Sequence, residues 1–216
     1  MNTLEELQVW GESRHRADIA VLAVHGRTQS PADMQTIAER IGQIGARYYA
    51  PTAPGNSWYP QPFLVPLAEN QPALTHALAS LTRSLAAIEA EGFDRDHIVL
   101  LGFSQGACLL SQFLINTHPH VAGAVLFTGG YVGEQLIDTD LGRDMSLAAI
   151  PILMRSIEND PWVPQNRVLE TAQLFEHLGA TVDVRIDPGT EHIITDEAIE
   201  RANGFLLELA KLAGRS

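Results

Sequence analysis

Ile98-Val99-Leu100-Leu101-Gly102-Phe103-Ser104-Gln105-Gly106 decides how this chain is read, because a short apolar run there meets a Gly-x-Ser-x-Gly pentapeptide. Residues 98–101 have the length and branching of a buried strand, and Cys108, Leu109 and Phe113 beyond them fit the apolar face of a helix. The expected unit is strand, sharp turn, helix. In such a turn the glycines remove β-carbons that would clash, and the serine hydroxyl is held out above the sheet edge. Ser104 is therefore a candidate nucleophile, in a backbone conformation costing about 1–3 kcal/mol. With 17 glycines in 216 residues the pentapeptide also fits a plainer role, Ser104 as a helix N-cap and Gly106 as a packing residue, so the rest of the chain has to decide.

Working outward, strand and helix signals alternate. Ile19–Val24 reads as a buried strand. Ser30-Pro31-Ala32-Asp33 resembles a capping box with proline at the first helical position, opening a helix whose inward face is Met34, Ile37 and Ile41 and which Gly42 ends. A strand at Ala46–Ala50 leads into a proline-rich loop over 51–66. Leu74, Leu78, Leu81, Leu85 and Ile88 then recur at helical spacing as far as Gly92. Pro119 stops the helix that follows Ser104. Gly123–Phe127 and residues 150–157 read as strands buried on both faces. Val168, Ala172 and Phe175 mark a helix ending at Gly179, residues 181–186 a strand, and Ile199, Ala202, Leu206 and Leu209 a last helix. This order predicts an α/β fold with a mostly parallel sheet and helices on both faces.

Composition bounds the rest. A chain of 216 residues, 45% hydrophobic and 19% charged, suits a single domain over 1–216 with a sizeable core. A formal net charge of -12, with only 14 Lys and Arg, disfavours nucleic acid and anionic membranes as partners. Residues 1–16 hold Glu5, Glu6 and Glu12 and no apolar core of signal-peptide length, and no stretch approaches the ~18 apolar residues of a membrane span, so a cytoplasmic location is expected. Cys108, the single cysteine, reads as a buried packing thiol one helical turn past Ser104. His118 and His120 lack a third ligand at a recognisable spacing and read as exposed helix-end histidines, so neither a metal nor a cofactor is expected.

In a parallel sheet, functional groups collect past the carboxyl ends of the strands. Two such segments offer partners for Ser104: Glu158-Asn159-Asp160-Pro161-Trp162-Val163-Pro164, and Asp187-Pro188-Gly189-Thr190-Glu191-His192. Ser, then acid, then His is the order of an α/β-hydrolase triad. Asp160 is the preferred acid because Pro161 and Pro164 would fix a rigid loop, while Glu158 and Asp187 lie closer to strand ends; His192 is the expected base, a surface loop histidine being the plainer alternative. An oxyanion would need two backbone N–H donors. Gln105 supplies one, and Arg27, in His25-Gly26-Arg27 after the first strand, supplies the other; there the amide is expected to matter more than the side chain.

With His25-Gly26, Gly102-Phe103-Ser104-Gln105-Gly106-Ala107, Asp160-Pro161-x-Val163-Pro164 and Gly189-x-x-His192 in order, the chain resembles, over about residues 19–209, the phospholipase/carboxylesterase family of α/β-hydrolases. That family includes small bacterial carboxylesterases and acyl-protein thioesterases. The resemblance implies an α/β-hydrolase fold and a serine hydrolase with Ser104, Asp160 and His192 as triad and the amides of Arg27 and Gln105 as oxyanion hole. Arg27-Thr28-Gln29 departs from the family's commoner His-Gly-Leu-Gly-Asp loop, and Asn56-Ser57-Trp58-Tyr59-Pro60 looks like a bacterial Trp-Tyr-Pro subgroup. The chain is also similar to dienelactone hydrolases, which carry a cysteine where Ser104 stands.

The expected function is hydrolysis of carboxylic esters with short to medium acyl chains through an acyl-enzyme, on a small-molecule substrate. Thioesterase or lysophospholipase activity is the alternative within enzymes, and a non-catalytic α/β-hydrolase binding module the alternative outside them. Trp58, Tyr59, Phe63 and Trp162 are the expected substrate-binding residues, with core packing as the other reading of Phe63 and Leu64. The 129–146 interval is long for a connection and is expected to flank the pocket mouth. No segment is long enough for a separate lid domain, and the site is expected to be open and shallow. A homodimer is compatible with the sequence, which does not determine the oligomeric state.

Overall fold

The computed structural model describes residues 7–134, 147–148 and 150–214. Among the described residues seven strands form one sheet: β1 (Gln8–Gly11), β2 (Ile19–Val24), β3 (Ala46–Ala50), β4 (Ile98–Phe103), β5 (Gly123–Phe127), β6 (Pro151–Ile157) and β7 (Thr181–Asp187). Their order across the sheet is β1-β3-β2-β4-β5-β6-β7. Of these strands β1 runs antiparallel, pairing with β3 through Trp10 opposite Tyr48, and the other neighbouring pairs are parallel. β2, β4 and β5 are buried at every residue, as parallel strands covered on both faces must be.

Alternate residues of each central strand feed two cores. Ala20, Leu22, Val24 and Leu100 pack under α2 (Ala73–Ala90), α3 (Gln105–Thr117) and α4 (Gln165–His177). Ile19, Val21, Ala23, Val99 and Leu101 pack under α1 (Pro31–Ile41) and α5 (Asp196–Ala213). This two-sided cover is the doubly wound arrangement read from the strand and helix order.

Local signals are realised with small shifts of boundary. The Asp33 carboxylate accepts from the Ser30 N–H at 2.8 Å, so the capping box opens α1 and Gly42 closes it at φ 94°. The inward faces expected for α1, α4 and α5 are buried, while in α2 Leu78 is only half-buried. α3 stops at Thr117, with His118 left-handed at φ 43° just before Pro119. β1 has neither an apolar run nor a clean alternation to announce it. Gln8, Val9 and Gly11 are exposed, and its cohesion comes from pairing with β3 and from Trp10 stacking on Tyr48 at 5.3 Å.

Candidate active site

β4 delivers Ser104 at its carboxyl end in a conformation few non-glycine residues adopt, φ 54° and ψ -120°. The surroundings hold it there: its N–H donates to the Phe127 carbonyl at 2.9 Å, and its own carbonyl accepts from the Cys108 N–H at 2.9 Å. Gly106 is required by crowding, since a β-carbon there would collide with the Val24 carbonyl oxygen. The turn thus presses the start of α3 against the end of β2.

Two loops bring the other side chains to Ser104. His192, past the end of β7, places Nε2 2.8 Å from Ser104 Oγ and Nδ1 2.6 Å from Asp160 Oδ2. The Asp160 carboxylate, past the end of β6, is wholly buried, and its other oxygen accepts from the N–H groups of Trp162 and Val163 at 2.8 and 2.9 Å. The imidazole lies against the Phe103 ring, 5.1 Å between centroids. The two loops are stitched together: Glu158 N–H donates to the Asp187 carbonyl at 2.8 Å and Asn159 N–H to the Gly189 carbonyl at 3.0 Å. Thr195 Oγ1 closes the base of the His192 loop by donating to Asp187 Oδ2 at 2.6 Å. Of the three acids considered, Glu158 is exposed and Asp187 is engaged with Thr195 and Arg185, leaving Asp160 at the histidine.

Segment 25–27 lies directly beside Ser104, for a β-carbon added at Gly26 would stand 3.2 Å from Ser104 Cβ. Among the described residues, neither the Arg27 N–H nor the Gln105 N–H has an acceptor. Both amides belong to segments that flank Ser104, and both residues line the cavity beside it. His25 is wholly buried and structural: Nδ1 donates to the Gly26 carbonyl at 2.8 Å, Nε2 accepts from the Ala53 N–H at 3.1 Å, and its carbonyl accepts from Trp58 Nε1 at 2.8 Å.

Burial pushes the His25 pKa below its ordinary 6.5, against smaller opposing effects of the Gly26 carbonyl and Asp33, and the bond in which Nε2 accepts the Ala53 N–H requires the neutral ring. The unfolded chain then takes up a proton at His25 at a pH where the folded chain does not. Stability from this group is expected to be full above about pH 6.5 and to decline as the pH falls below it. The slope of unfolding free energy on acidification is expected to be smaller in His25→Asn; equal slopes would contradict the assignment.

A cavity of about 610 Å³ opens beside the serine, and its lining includes Arg27, Tyr59, Phe63, Ser104, Trp162 and His192. Three of the expected binding residues, Tyr59, Phe63 and Trp162, are there. Among them Trp162 stands out, 71% exposed at the rim, an apolar ring that costs solvation unless something covers it. Trp58 is corrected. It is 3% exposed, packs in the core against the His25 ring, and spends its indole N–H on the His25 carbonyl, so it supports the loop from beneath and does not line the cavity. Of the interval 129–146, none of the described residues 129–134 lines the cavity, and 135–146 lie outside the described residues. Cys108 does line it, which its position one turn past Ser104 already hinted; burial pushes its thiol up to about 12, keeping it protonated and inert. Among the described residues no cluster of His, Cys, Asp or Glu could hold a metal ion, and no helix is long and apolar enough to cross a membrane.

The phospholipase/carboxylesterase family pattern matches residues 45–209, and the chain belongs to that family. Its sheet, helices and elbow are those of an α/β-hydrolase, and it is an esterase-type hydrolase. The crystal structure of a phospholipase/carboxylesterase from Dyadobacter fermentans is similar at 33% identity, with a TM-score of 0.85 over 94% of this chain and 96% of that one. A carboxylesterase from Bacillus cereus is 21% identical (TM-score 0.75, 96% of each chain), and one from Mesorhizobium loti 22% identical (TM-score 0.74, 95% of each). These two show likeness of fold. A comparison with curated proteins gives no match.

Proposed function

We propose that the chain hydrolyses carboxylic esters through an acyl-enzyme on Ser104. The observation that carries this reading is the imidazole of His192 bridging Ser104 Oγ at 2.8 Å and the buried Asp160 carboxylate at 2.6 Å. Nδ1 bears the proton donated to Asp160, so Nε2 is free to take the Ser104 proton as Oγ attacks the ester carbonyl. The carbonyl oxygen becomes an oxyanion held by the Arg27 and Gln105 amides, each such donor worth about 10²–10³ in rate. Collapse expels the alcohol with the proton from His192, and water, deprotonated by the same nitrogen, attacks the acyl-enzyme to release acid and free Ser104. Asp160 stays ionised throughout, orienting the ring.

The substrate is a neutral ester of short to medium acyl length. The cavity wall is largely apolar, the guanidinium on it, that of Arg27, is committed to backbone carbonyls, and Tyr59 and Cys108, 2% and 1% exposed, close it off from the core. With p-nitrophenyl esters from acetate to palmitate, kcat/KM is expected to peak at a short or medium chain and to fall towards palmitate. An optimum at palmitate would contradict the chain-length reading, and faster turnover of matched acyl thioesters would move the activity to thioesterase.

A further inference from the structure

The two residues whose amides are assigned to the oxyanion also reach, with their side chains, a single carbonyl oxygen. Arg27 Nη2 donates to the Tyr59 carbonyl at 3.0 Å, and Gln105 Nε2 donates to it at 2.9 Å. Ser57 Oγ adds a third donor at 2.9 Å. Arg27 extends the grip along the loop, giving Nη1 to the Pro60 carbonyl and Nη2 to the Gln61 carbonyl, both at 2.8 Å. Gln105 completes it from the other side, its Oε1 accepting the Trp58 N–H at 3.0 Å. Two further bonds run alongside, the backbone Thr28 N–H to the Asn56 carbonyl at 2.8 Å and the Trp58 indole Nε1 to the His25 carbonyl at 2.8 Å.

We propose that Arg27 is a positioning residue for this hydrolase: its guanidinium, by gripping the carbonyls of Tyr59, Pro60 and Gln61, sets the spacing of the Arg27 amide relative to the Gln105 amide, with the Tyr59 carbonyl as their common anchor. The inference rests on the acyl-enzyme reading above. It departs from the expectation that the Arg27 amide matters more than its side chain. Arg27 comes from the loop after β2 and Gln105 from the first turn of α3, so the two amides belong to separate elements; a third segment bound by both side chains fixes their distance. The chemistry suits arginine: a planar fork with fixed N–H directions can serve three adjacent carbonyls at once, whereas a lysine ammonium at the end of a flexible stem acts as a point charge. Because Tyr59 and Pro60 also line the cavity, the same grip joins the wall that holds the acyl group to the donors that hold the oxyanion.

The test compares Arg27→Ala and Arg27→Lys with the wild type in kcat, KM and affinity for an alkyl trifluoromethyl ketone, whose serine adduct places an oxyanion where the ester's forms. A misplacement of this kind is expected to cost about 10- to 100-fold in kcat in Arg27→Ala. Ketone affinity should fall by a similar factor and KM should change much less, with Arg27→Lys recovering only part of the loss. A merely structural role would lower the unfolding midpoint and leave kcat and ketone affinity of the folded protein alone. The inference is overturned if folded Arg27→Ala stays within about twofold of wild type in both, or if only KM changes. Should Arg27→Ala not fold, Arg27→Lys is held to the same limits in its place. A wild type that neither turns over esters nor binds the ketone would instead bring down the acyl-enzyme reading, and this inference with it.

Discussion

Ser104→Ala is expected to lower ester turnover by about 10⁴–10⁶ while the unfolding midpoint stays close to that of the wild type. The loss follows from removing the hydroxyl that His192 Nε2 meets at 2.8 Å. What survives is the cavity and the two unpartnered amides, which still bind an ester and polarise its carbonyl but leave water to attack unaided. The stability side has its own cause: alanine keeps the β-carbon that the φ of 54° strains, and the hydroxyl it loses faces the cavity with one side-chain partner, His192. Initial rates with the best p-nitrophenyl ester, together with a thermal melt, check both. Turnover within about tenfold of wild type in a folded variant would remove Ser104 from the chemistry.

Asp160→Asn is expected to cost about 10⁴ in kcat with little change in fold. The amide is nearly isosteric and can still accept the Trp162 and Val163 N–H groups through its oxygen, as Oδ1 does at 2.8 and 2.9 Å. Its NH₂ then faces His192 Nδ1, where the carboxylate oxygen stood at 2.6 Å. A donor in that place favours the tautomer with the proton on Nε2, so the nitrogen beside Ser104 loses its lone pair. Single-turnover kinetics separate this from a binding defect, because KM should move far less than kcat. A variant with unaltered kcat would show that another group orients the imidazole.

Much of this was legible in the sequence, for identifiable reasons. The buried strands declare themselves because parallel strands covered on both faces need unbroken apolar runs, as in Ile19–Val24 and Gly123–Phe127. The helices declare themselves through periodicity and caps, and the serine, acid and histidine through their places just past strand ends. β1 left no such mark: Gln8-Val9-Trp10-Gly11 is short and mostly exposed, and a strand of that kind exists only by virtue of the neighbour it pairs with. Loop residues were the other gap. Trp58 and Tyr59 are adjacent in a proline-rich stretch with no periodicity to say which points where; the structure turns Trp58 down onto His25 and leaves Tyr59 at the cavity. Arg27 shows the same limit from the polar side, since its acceptors Tyr59, Pro60 and Gln61 lie far along the chain and no local pattern announces them.

The most direct test of the central claim is peptide mapping after brief exposure to a fluorophosphonate, which phosphonylates an activated serine and spares an ordinary one. The account predicts a single adduct on Ser104, formed rapidly in the wild type, slowed severely in Asp160→Asn and absent from Ser104→Ala. No adduct on the folded wild-type protein, or one on a different residue, would contradict it.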